Sequence, residues 1–69
     1  MSSTVQSVLV PKTFSQSAAT LWVESHGYKA PKIDITPDYF RFRQELPSKF
    51  RRFTSQKLDN GVLLILGWH

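Results

Sequence analysis

The spacing of apolar residues changes period twice along this chain, from strand-like to helical and back. Val5 to Val10 is rich in β-branched residues and is stopped by Pro11, which predicts a first strand. Val8, Leu9 and Val10 are consecutive instead of alternating, so that strand is expected to be at least partly covered on both faces. A helix follows over about residues 15 to 26. Ser15 stands where its hydroxyl can accept from an orphan amide, and Phe14 stands where it can staple against Ala19. Ala18, Leu21, Trp22 and Ser25 recur at helical spacing, and Gly27 closes the helix in a conformation that costs glycine nothing.

Downstream the period returns to two. Lys32 to Ile35 alternates, Thr36-Pro37-Asp38 carries turn chemistry, and Tyr39 to Gln44 alternates again, which predicts a β-hairpin. Leu46-Pro47-Ser48 interrupts the pattern. A second hairpin is expected from Arg52 to Leu58 and Val62 to Trp68 flanking Asp59-Asn60-Gly61, whose Asn-Gly step is the strongest short-range hairpin signal in the chain. The predicted order is β-α-β-β-β-β: an α+β fold with one helix packed on a small mixed or antiparallel sheet of about five strands. The chain reads as one domain, residues 1–69, with residues 1–4 frayed.

The last strand creates a conflict in this layout. Val62, Leu64 and Leu66 occupy one face and Leu63 and Ile65 the other, yet one helix covers only one face. The second set, with Leu9 and Trp68, must be enclosed by a strongly curled sheet approaching a barrel or be buried by another chain. Leu63, Ile65 and Trp68 are therefore the candidate self-association residues, and a homo-oligomer is one predicted outcome.

Composition narrows the chemistry. A chain of 69 residues buries only about 60% of its unfolded surface, so stability is small or borrowed from a partner. No cysteine is present to form a disulfide or a thiolate metal site, and two histidines, His26 and His69, do not make a metal cage. No cofactor is expected. The longest apolar run, Val62 to Leu66, is far shorter than the ~20 residues that cross a bilayer. The first residues lack a basic, apolar leader, so a soluble intracellular protein is expected.

Charge is concentrated. Arg41 to Lys57 holds six of the nine basic residues (Arg41, Arg43, Lys49, Arg51, Arg52 and Lys57) against one of the five acids, Glu45. Phe42, Phe50 and Phe53 are threaded among them. Such a segment attracts polyanions and offers faces on which bases stack. The plainer alternative is a half-buried strand with Phe40 and Phe42 in the core, solvated arginines, and Phe50 and Phe53 as loop anchors. The five acids are scattered, with no pair spaced as a general acid and base, so no enzymatic activity is expected. His26 is accounted for by a terminal carbonyl and the helix dipole, and His69 is expected to be disordered.

Several blocks, Val8-Leu-Val-Pro-Lys12, Phe14-Ser, Trp22, His26-Gly-Tyr-Lys29, Tyr39-Phe-Arg-Phe-Arg-Gln44 and Gly61-Val-Leu-Leu-Ile65, together resemble small uncharacterised proteins of tailed bacteriophages and large DNA viruses. Similar segments occur as modules of virion-related proteins. The resemblance implies a viral origin and a role near genome packaging, capsid or nucleic acid, with the protein in the host cytoplasm or nucleus or in the virion. It carries no activity and no functional residues. The primary expectation is a non-enzymatic viral accessory protein that binds nucleic acid, or an acidic protein surface, weakly through residues 41–57. The alternative is a structural or assembly protein acting through self-association or β-edge contacts.

Overall fold

Two short turns fix the two hairpins of the sheet. In the first, the Thr36 N–H donates to the Tyr39 carbonyl at 2.9 Å while the Thr36 hydroxyl accepts from the Tyr39 N–H at 3.0 Å. In the second, Asn60 Oδ1 accepts from the Val62 N–H at 3.1 Å, and Gly61 takes φ +89°, where a Cβ would be strained. The computed structural model describes residues 2–69. Its elements are β1 (Ser3–Pro11), α1 (Gln16–Ser25), β2 (Ile33–Ile35), β3 (Tyr39–Arg43), β4 (Arg52–Lys57) and β5 (Leu63–Trp68), with a 3-10 turn at Pro47–Lys49.

The strands form one five-stranded antiparallel sheet in the order β2-β3-β1-β5-β4. The α+β layout with one helix is as the sequence indicates. The sheet is not closed into a barrel: β2 and β4 lie at opposite edges, so of the two outcomes open for the second apolar set, enclosure by a closed barrel does not occur. β1 takes the centre, where the triad Val8-Leu9-Val10 has neighbours on both sides. Val8 pairs with Phe42 and with Leu64, and Leu9 pairs with Arg41 and with Leu63. Ser3 and Thr4, expected to fray, are paired with Trp68 and Gly67, which extends β1 at its start; Met1 lies outside the described residues.

The helix is capped as its sequence predicts. The Ser15 hydroxyl accepts from the Ala18 N–H at 3.2 Å, and Gly27 follows the helix at φ +82°. Its buried face differs from the expected stripe. Ala19 and Val23, four residues apart, are fully buried, Trp22 packs beside them, and Ala18 and Ser25 are exposed along with Leu21. Leu21, two residues from each of the buried Ala19 and Val23, falls on the opposite side of the helix and is exposed. The core is Val8, Val10, Ala19, Val23, Phe40, Phe42 and Val62.

One irregularity redirects the chain. Gln6 is an extra residue between Val5 and Ser7, where the β1–β5 register shifts. Its carbonyl accepts from the Gln44 and Glu45 N–H groups, at 2.7 and 3.2 Å, and its side-chain amide donates to the Glu45 carbonyl at 2.8 Å. Ser7 donates to Gln6 Oε1 at 2.7 Å. Both buried polar side chains are thereby satisfied, and β3 ends at Arg43, just before the two residues the bulge holds.

Candidate interaction surfaces on the uncovered sheet

The face of the sheet turned away from α1 can be laid out from the pairing. One row runs Asp34, Arg41, Leu9, Leu63, Lys57 across all five strands. The next runs Arg43, Ser7, Ile65, Ser55, and a third brings together Thr4, Gly67 and Phe53. The centre is aliphatic and half-buried: Leu9, Leu63 and Ile65. At one corner the Phe50 ring lies against Gly67 so closely that a Cβ there would overlap it. Phe53 meets Phe50 edge-on at 5.9 Å, and His69 lies 5.0 Å from it. Phe50 is thus an anchor over Gly67, whereas Phe53 stays 46% exposed. His69, expected to be disordered, is held at this corner and approaches Thr4 at 3.4 Å.

Trp68 is not on this face. The period of β5 places it with Leu64 and Leu66, and there its Nε1–H donates to Thr54 Oγ1 at 2.8 Å while the Arg52 guanidinium lies 5.4 Å from its ring. Only Leu63 and Ile65 of the three candidate self-association residues therefore share a surface.

The six candidate cations do not form one patch. Arg41 donates to Asp34 at 3.0 Å and Lys49 to Glu45 at 2.8 Å. The hydrogen bond from Arg41 holds the Asp34 carboxyl below its ordinary pKa; desolvation opposes this, and the positive fields of Arg41, Arg43 and Lys32 add to it. Glu45 is lowered in the same way by Lys49, chiefly through the hydrogen bond. Arg52 projects to the opposite face beside Trp68. Arg43, Arg51 and Lys57 remain exposed and have no carboxylate at ion-pair distance among the described residues. Arg43 and Lys57 lie on β3 and β4, three strand spacings apart, or about 14 Å. A shallow groove of about 500 Å³ beside β2 is lined by Lys32, Arg41 and Arg43, and also by Asp34 and Glu45, which makes it a mixed-charge surface.

The more distinctive feature is β4 itself. All six of its residues are exposed, and among the described residues no strand pairs with its outer side. Leu58 N–H donates to the Val62 carbonyl at 2.8 Å, and the register continues from that pair, so Arg52, Thr54 and Gln56 make the inward hydrogen bonds to β5. The N–H and C=O groups of Phe53, Ser55 and Lys57 consequently point outward. This is an unpaired template six residues long with no proline and no covering element. Sequence reasoning named the hairpin and β-edge contacts but not which strand forms the free edge. The available signal was the contrast between its arms: Val62 to Leu66 is entirely apolar, whereas Arg52 to Lys57 has one apolar residue, Phe53.

His26 and the remaining acids are dispersed. His26 Nδ1 lies 2.7 Å from the Trp22 carbonyl and its ring stacks on Trp22 at 3.9 Å. Glu24, Asp38 and Asp59 are exposed and dispersed. Among the described residues no group of three or more His, Asp or Glu is placed to hold a metal ion, and no helix is long and apolar enough to cross a membrane. No family model matches the chain, and neither a curated protein nor a solved structure matches it. The phage and viral resemblance therefore rests on its sequence blocks alone.

Proposed function

We propose that the protein is a small non-enzymatic assembly module that joins protein chains through the uncovered half of its sheet. The observation that carries this reading is β4, exposed at every position and unpaired along its outer edge. Main-chain groups there offer hydrogen bonds to any extended segment, and the adjoining aliphatic row, Leu9, Leu63 and Ile65, offers apolar area beside them. The phage-like blocks suit a module of a virion or of its assembly in the host cytoplasm or nucleus. Sedimentation from micromolar to millimolar concentration tests it. The expected result is a mass that rises with concentration and falls back to monomer in Ser55→Pro, which removes an outward N–H without touching the β4–β5 ladder. A strictly monomeric wild-type chain counts against it.

A second reading is favoured by Phe53, whose ring stands exposed on the same face as Arg43 and Lys57. This is a weak, sequence-blind site for single-stranded nucleic acid or another polyanion. With about three phosphate contacts, affinity for a single strand falls roughly 20-fold between about 50 and about 200 mM salt. Fluorescence binding to an oligonucleotide at low salt, with Arg43→Glu and Lys57→Glu as the weakening variants, tests that reading. It gains ground only where the assembly reading fails.

A further inference from the structure

Building on the assembly reading, we infer that the occupant of the β4 edge is β4 of a second copy of this chain, paired antiparallel about a two-fold axis at Ser55. Within β4 the outward main-chain groups belong to Phe53, Ser55 and Lys57, the Arg51 N–H before it being bonded inward to the Trp68 carbonyl at 2.9 Å, so only registers that set these odd-numbered residues against one another satisfy both edges. A pair centred on Ser55 uses all three outward residues of each copy: Ser55 meets Ser55, and Phe53 meets Lys57, twice. Arg52 then faces Leu58, and the Asp59 turn of each copy comes beside the Arg51 end of the other.

Charge selects this register over its neighbour. Centring on Thr54 would oppose Arg51 and Lys57 of the two copies, a like-charge pair occurring twice. Centring on Ser55 instead gives each Lys57 ammonium an aromatic neighbour on the open face and each Arg51 a carboxylate nearby. Neither Arg51 nor Lys57 has a carboxylate partner among the described residues. The two-fold stands perpendicular to the sheet, so a continuous ten-stranded sheet results and both open faces lie on the same side.

The chain contains no cysteine, which makes single-cysteine variants clean probes. In the proposed register the two Ser55 Cα atoms stand about 5.5 Å apart, within disulfide reach, whereas two Thr54 Cα atoms are about 8 Å apart with side chains on the other face. Mild oxidation of Ser55→Cys is expected to give a covalent dimer at least about tenfold faster than Thr54→Cys, at equal concentration and with both variants folded by circular dichroism. Reversible dimerisation of the wild type is expected to tighten as salt rises, because each edge brings more positive than negative charge. Equal cross-linking rates in a chain that still dimerises would overturn the Ser55 register while leaving assembly intact. Ile65→Glu then reports whether the open face is the interface instead. A monomer at all concentrations, with no selective cross-link, would overturn both.

Discussion

The two halves of the sheet are built from similar hairpins and end in opposite conditions. On the β2-β3-β1 side, Val8, Val10, Phe40 and Phe42 are buried beneath Ala19 and Val23 of the helix. On the β5-β4 side every β4 residue is exposed and β5 is mostly half-buried. The cause is geometric. A helix is about 10 Å across and strands repeat at about 4.8 Å, so one helix shelters about two strands of five. The covered half holds the fold together. The other half has completed hydrogen bonds only on its inner side, and that is why it is available to partners.

The largest expected contrast comes from paired phenylalanines. Phe42→Ala empties a fully buried site and is expected to cost about 3–5 kcal/mol, enough to unfold a domain of this size, whereas Phe53→Ala on the exposed edge is expected to cost under about 1 kcal/mol. Chemical denaturation of both variants checks this. Similar losses at the two positions would erase the distinction between the halves. Gly67→Ala sharpens the comparison within the uncovered half, because the new methyl must displace the Phe50 ring. The expected loss is about 1–3 kcal/mol, with the tertiary signal of the Phe50, Phe53 and His69 corner changed in NMR spectra.

A smaller effect is expected from acid. Asp34 is a half-buried carboxyl whose pKa in the folded chain lies below its ordinary value. Its contribution is therefore present above the unfolded-state pKa of about 4 and is lost as pH falls through the lower folded value. Asp34→Asn removes that contribution, so stability near neutrality falls slightly and the two forms converge as pH drops below both pKa values. Denaturation midpoints at neutral pH and below about pH 4 in both forms measure the difference.

Local chemistry made much of this architecture readable. The helix from Ser15 to Gly27, both turns, and the division of Val62 to Leu66 between two faces all follow from capping, turn residues and the two-residue period. The same period applied one step further places Trp68 with Leu64 and Leu66, so its assignment beside Leu63 and Ile65 ran against the pattern. Pairings distant in sequence were not readable. That β1 inserts between β3 and β5 depends on contacts such as Val8 with Leu64, fifty-six residues apart in the chain, and no local signal encodes them. The dispersal of the basic residues follows from that insertion, which separates β3 from β4, and from side-chain alternation, which sends Arg52 to the far face. The free edge of β4 became visible only with the strand order.

Amide hydrogen exchange, followed residue by residue at low and high protein concentration, tests the central claim most directly. Phe53, Ser55 and Lys57 are predicted to exchange rapidly in dilute solution and to become protected as concentration rises, while Thr54 and Gln56, already bonded to β5, change little. Protection that stays flat at those three amides, or that rises instead in β2, would contradict the assignment of β4 as the edge through which this protein joins another chain.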